Sequence, residues 1–182
     1  MKSDEKNLVR AAARGDRSAM AGLYSRNIGY LTAVCSRYIQ NNGDRDDVLQ
    51  CSFIKILSSL GRFDYRGEGS LKAWMSRIVV NESLKFLKDR QKDRFVLFSD
   101  VPDIPEEEEP VIDDIPAETL QKMVRELPDG YRTVFNLSVF EGRSHKEIAS
   151  MLGITESTSA SQFHRARNLL AKRIREYRNS KI

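Results

Sequence analysis

Ser157, Ser161, Gln162, His164, Arg165 and Arg167 crowd a span of eleven residues near the C-terminus of this 182-residue chain. Hydroxyl, amide, imidazole and guanidinium groups at that density suit hydrogen bonding to phosphates and to the edges of bases. A second set stands further upstream. Arg77, Asn81, Lys85 and Lys88 follow one another at i, i+4, i+8 and i+11, with Arg66, Ser70 and Trp74 just before them. Aromatic faces beside cations permit base stacking while the charges hold a single-stranded backbone. The same residues also fit a bland reading, in which Trp74 and Ile78 are core and the cations form a solvated stripe.

The first set needs a scaffold, and SHKEIASMLGITESTSASQFHRARNLL (residues 144–170) supplies one. Ile148, Ala149 and Leu152 line one face of a short helix, and Gly153 then allows positive φ at a turn. Thr155 is a good N-cap for a second helix. In that helix Thr158, Phe163, Ala166, Leu170, Ile174 and Tyr177 recur at helical intervals and face inward. The polar and cationic residues, Gln162 among them, are then expected to face outward. This is the pattern of a helix-turn-helix whose second helix enters a major groove.

The second set sits in a longer helical region. Helices are expected over Lys6–Arg14, from Ser18 to about Asn41, from an N-cap at Asp44 through Leu60, and from about Ser70 onward. Met20, Leu23, Tyr24, Ile28, Leu31, Val34, Cys35 and Tyr38 form one apolar face, and Val48, Leu49, Phe53, Ile56, Leu57 and Leu60 form another. Both cysteines, Cys35 and Cys51, fall in helical apolar patterns without a CxxC pair, so buried reduced thiols are expected rather than a disulfide or metal site.

Charge divides the chain more sharply than its net +4 suggests. Residues 1–99 hold 18 Lys/Arg against 11 Asp/Glu, residues 100–118 none against 9, and residues 119–182 hold 12 against 6. Pro102, Pro105, Pro110 and Pro116 lie in the acidic stretch, where proline and like charges oppose helix formation. The expected architecture is all-α: two small helical domains, 1–96 and 118–182, joined by a flexible acidic linker over 97–117. No window reaches the apolar length of a membrane span, so membrane insertion is not expected and a cytoplasmic location is.

Three stretches together, DDVLQCSFIKIL, YRGEGSLKAWMSRIVVNESLKFL and LPDGYRTVFNLSVFEGRSHKEIASMLGITESTSASQFHRARNLL, resemble the two modules of an extracytoplasmic-function sigma factor of the sigma-70 superfamily. The resemblance implies an alternative sigma factor that binds core RNA polymerase, directs it to promoter DNA and helps open the duplex. It implies polymerase docking by Asp47, Gln50, Phe53 and Ile54, with Cys51 in place of the usual acidic residue. Arg66 to Leu71 is similar to the family's pocket for a flipped base, with Asn81 and Lys85 near the opened strand and Arg77 and Lys88 on phosphates. Ser157, Ser161, His164, Arg165 and Arg167 match positions that meet the upstream element. Ala160 and Gln162 replace residues that are often basic, and Ser159 replaces an inward valine or isoleucine. The linker is similar to a connector that threads toward the RNA exit path, and an anti-sigma factor is a common partner of such proteins.

Two other classes fit less well. A DNA enzyme would need a rigid metal or nucleophile site. The acidic clusters here are Asp46–Asp47, at a helix start, and Glu106–Glu109, in the proline-rich tether. Neither a cofactor nor a metal ligand set is expected. A dimeric repressor would need a dimerisation element, and no long leucine heptad is present, so the free chain is expected to be a monomer.

Overall fold

The computed structural model describes residues 2–91 and 115–180. Among these the regular structure is helical, in two compact units that divide after Arg90. The first contains α1 (Lys2–Ala13), α2 (Arg17–Ser36), α3 (Asn42–Ser59), a short 3-10 turn (Leu60–Arg62) and α4 (Ser70–Gln91). The second contains α5 (Ala117–Arg125), α6 (Asp129–Val139), α7 (His145–Leu152) and α8 (Glu156–Asn179). The acidic tether expected over 97–117 lies outside the described residues up to position 114. Ile115 packs with Met123 and Ile174, so the second folded unit reaches back ahead of the expected boundary at 118.

In the first unit the core is apolar and drawn from all four helices: Val9 and Ala12, Leu23, Leu31 and Val34, Ile56 and Leu60, Leu71, Met75 and Val79. Its helix starts are set by side chains. The Asp16 carboxylate accepts the Ala19 N–H at 2.9 Å, and Asn41 Oδ1 accepts the Asp44 N–H at 3.1 Å. The cap of α3 is therefore Asn41 and not Asp44, and α2 ends at Ser36 rather than near Asn41. Asp44 remains in the first turn, where its charge complements the helix dipole and pairs with Arg90 of α4. Lys55 and Glu82 make a second tie between α3 and α4.

In the second unit α8 packs against α5, α6 and α7. Leu127, Tyr131 and Ala166 form one apolar cluster, and Ile115, Met123 and Ile174 another. Polar side chains, one of them buried, bridge elements of the unit. Arg132 lies in the interior of α6 and donates to the carbonyls of Arg125 (3.1 Å) and Leu127 (2.9 Å), closing the α5–α6 corner. Arg173 reaches from α8 to the carbonyls of Met123 (2.8 Å) and Glu126 (3.1 Å). These carbonyls end α5 and lack partners within the helix, so the arginines serve as side-chain caps.

Candidate nucleic-acid interface

The turn between α7 and α8 is built from local rules. Gly153 adopts φ 70 and closes α7 through its N–H to the Ala149 carbonyl, and Thr155 accepts the Thr158 N–H at 3.0 Å to open α8. The start of α7 is fixed reciprocally. Ser144 Oγ accepts the Glu147 N–H at 3.3 Å while Glu147 Oε2 accepts the Ser144 N–H at 2.9 Å, and Arg143 adds a bond of 2.8 Å to Oε1. The Ser144 backbone bond, followed by Arg143, holds the Glu147 carboxyl down to about 2. Between the two helices, His145 Nδ1 lies 3.0 Å from Ser159 Oγ, and the His145 ring meets Phe163 edge-on. Ser159 is fully buried, as its inward position implies, and His145 satisfies its hydroxyl.

On the outer face of α8, Ser157, Ser161, His164 and Arg167 are exposed and Arg165 is half-buried. Ser157 Oγ is 3.0 Å from Thr155 Oγ1, and Ser161 donates to the Thr158 carbonyl at 3.0 Å. Gln162 is not part of this face. It is only 3% exposed, and among the described residues neither the nitrogen nor the oxygen of its amide has a hydrogen-bond partner. The inward stripe runs through 159, 162 and 166 as well as 163 and 170, wider by one row than the apolar residues alone indicate, and it sweeps Gln162 inside.

In the first unit α4 presents Arg77, Asn81, Lys85 and Lys88 to solvent along one face. The loop before it is organised by Ser70, whose hydroxyl donates to the Gly67 carbonyl at 2.6 Å and accepts the Arg66 N–H at 3.3 Å. Gly67 and Gly69 hold φ of 117 and 82, conformations that side chains with a Cβ resist. Arg66 is exposed and lightly tied to Asp64 at 3.1 Å. Trp74 is half-buried, its ring 4.8 Å from that of Phe63, which in turn meets Tyr65 edge-on. Trp74 thus anchors the loop and leaves part of its surface free.

The α3 candidates separate into two faces. Asp47, Gln50 and Ile54 are exposed at i, i+3 and i+7, with Ile54 63% exposed, an unusual position for a large apolar side chain. Phe53 points the other way, 6% exposed, its ring tilted against that of Tyr24 with centroids 4.6 Å apart. It supports the exposed face without belonging to it. Cys51 was expected to be buried and is exposed, because i+4 from Asp47 places it on the outer stripe; Cys35 is buried, and burial pushes its thiol up. A groove of about 150 Å³ joins the sets, lined by Asp47, Val48 and Cys51 of α3 and by Glu82, Lys85, Phe86 and Asp89 of α4.

Sigma-70 region 2 matches residues 23–93, and Sigma-70, region 4 matches residues 117–170. The chain belongs to the sigma-70 family, as an extracytoplasmic-function sigma factor. RNA polymerase sigma-H factor of Pseudomonas aeruginosa is 28% identical over 92% of each chain. ECF RNA polymerase sigma factor SigW of Bacillus subtilis is 26% identical over 94% of this chain and 97% of that one. Among solved structures, CnrH in complex with the cytosolic domain of CnrY is similar over 94% of this chain and 97% of that one, at 25% identity and a TM-score of 0.50. This sigma factor thus takes its place in transcription initiation. Among the described residues no helix is long and apolar enough to cross a membrane, and no cluster of three or more His, Cys, Asp or Glu is placed to hold a metal.

Proposed function

We propose that the two units are the two promoter grips of this sigma factor. Residues 1–96 bind the polymerase clamp through Asp47, Gln50 and Ile54, and hold the opened strand with Arg66, Ser70, Trp74, Arg77, Asn81, Lys85 and Lys88. Residues 118–182 dock α8 on the upstream duplex through Ser157, Ser161, His164, Arg165 and Arg167. The linker between them connects two halves that act on one enzyme, in the cytoplasm, and the free chain is a monomer without catalytic activity of its own. An anti-sigma partner is part of the proposal. The solved structure of CnrH pairs it with the cytosolic domain of CnrY, and this chain is similar to CnrH over nearly its whole length.

The observation that carries the reading is the shared groove of α3 and α4. Asp47 and Lys85 line the same cleft, so a surface suited to a protein partner abuts the cationic stripe. A subunit that brings melted DNA to a polymerase needs that adjacency, because the strand must be captured where the enzyme holds it. The cations supply affinity without sequence, and Trp74, partly free beside Phe63, supplies a stacking surface. Transcription of a genomic library by core polymerase with and without the chain tests the proposal. New start sites are expected, with salt weakening promoter binding by roughly 0.9 in log–log slope for each neutralised phosphate. The Asn81→Ala, Lys85→Ala double variant is expected to keep polymerase binding and lose permanganate-reactive opening. Failure of core enzyme to take up the chain, or uptake without new start sites, overturns it.

A further inference from the structure

We propose that His164 is a base-selecting residue of α8 and that Asn168 is its positioning residue, fixing which ring nitrogen carries the hydrogen. The inference rests on the assignment of α8 to the upstream duplex and goes beyond it by naming the class of base that is read. Asn168 Nδ2 lies 3.1 Å from His164 Nε2, one helical turn back. An amide nitrogen can only donate, so the tautomer that fits this bond accepts at Nε2 and carries its hydrogen on Nδ1. The two ring nitrogens point in nearly opposite directions. Nε2 is turned toward Asn168, which is 5% exposed, and Nδ1 is the ring nitrogen left for an outside partner. His164 itself is exposed, and no hydrogen bond to a described residue engages its Nδ1.

This arrangement converts an ambiguous side chain into a defined donor. Ser157 and Ser161 hydroxyls rotate and can donate or accept, so they discriminate poorly, and both already bond within the first turns of α8. Arg165 and Arg167 donate in every state, and such groups contact phosphates as readily as bases. His164 differs because its donor pattern is set by a buried neighbour. In the major groove guanine offers two acceptors, O6 and N7, whereas cytosine offers only the N4 donor. Adenine N7 and thymine O4 also accept, so a donor at His164 is expected to reject cytosine alone among the four bases and to favour guanine over it, since guanine presents two acceptors.

The test uses the full chain assembled with core polymerase on templates whose upstream element is randomised, with the selected sequences read out. Wild type is expected to favour guanine over cytosine roughly tenfold at one position, the scale of one good base contact. His164→Ala is expected to reduce that ratio to roughly twofold there and nowhere else. His164→Gln, whose amide matches the N6 and N7 edge of adenine, is expected to move the preferred base to adenine. Asn168→Ala is expected to weaken the guanine preference at the same position while a matched thermal midpoint shows the fold intact. Should that variant lose its fold, the exposed His164→Gln exchange decides the matter. Unchanged preferences at every position in His164→Ala overturn the role of His164, and a full guanine preference in folded Asn168→Ala overturns that of Asn168. Initiation by wild type without any upstream selection overturns the placement of α8 and this inference with it.

Discussion

The two units bury polar side chains in different ways. In the first unit, Asn27, Ser52, Ser76 and Ser83 are buried, and each donates to the carbonyl four residues back in its own helix, at 2.7 to 2.8 Å. Such bonds satisfy each group within its own helix, and only Ser76, which meets the Tyr30 hydroxyl at 3.1 Å, and Ser83, 3.6 Å from Cys35 Sγ, add polar contacts between α4 and α2 in a core that is otherwise apolar. In the second unit Arg132 and Ser159 reach across elements, and Asn168 reaches the exposed His164. A helix that reads bases must be held in register to a fraction of an ångström, and directional bonds do this where a small core cannot. A cationic stripe that grips phosphate tolerates more slack.

The sharpest way to break this contrast is at adjacent residues of α3. Phe53→Ala removes a buried ring from the apolar core and is expected to cost about 3 to 5 kcal/mol in urea unfolding. Ile54→Ala, on the exposed face, is expected to change stability by under about 0.5 kcal/mol and to weaken uptake by core polymerase. The reverse pattern, with Phe53→Ala stable and Ile54→Ala unfolded, would mean that the helix sits turned by a quarter of its circumference. Uptake of Ile54→Ala at wild-type strength would remove α3 from the polymerase contact.

A smaller effect of opposite sign is expected in the second unit. Gln162 is buried with its amide unpartnered among the described residues, a desolvation cost that no bond offsets. Gln162→Leu keeps most of the volume, and it is expected to raise stability by about 1 kcal/mol without altering promoter preference. Destabilisation, or a changed preference in the randomised selection, would return Gln162 to the DNA-facing set.

How much of this was legible in the sequence depended on whether the cause was local. Gly153 and Thr155 were readable because a left-handed φ and a cap are properties of a few consecutive residues, and the structure has both. The all-α class and the apolar stripes of α2 and α3 followed from periodicity for the same reason. Periodicity finds a face but not its width, and so Gln162 was placed outside and Cys51 inside. Phe53 was drawn into the docking set by a resemblance that covers the whole helix, although its own stripe pointed inward. Asn41 displaced Asp44 as cap because two acceptable caps stood three residues apart and only the turn decides between them. His145 with Ser159 was out of reach, since nothing in a sequence states that residues fourteen apart meet across a turn.

Acid should act on the cap of α7 in a way it cannot act on that of α3. The capping box of α7 includes a titratable group, Glu147, whereas α3 is capped by the neutral amide of Asn41. The bonds from Ser144 and Arg143 hold the folded-state Glu147 at about 2, against an ordinary value of 4.5. Between those limits the unfolded chain binds more protons than the folded one, so stability must rise with pH there. The contribution is complete above pH 4.5 and is lost as pH falls toward 2. Because other carboxylates titrate too, the measurement is a difference: urea midpoints of wild type and Glu147→Gln across this range. A small advantage of wild type at pH 5 is expected to shrink to nothing near pH 2, since glutamine mimics the protonated acid. A constant gap across the window would mean that the cap acts through shape alone, and a gap that widens in acid would reverse the sign of the linkage.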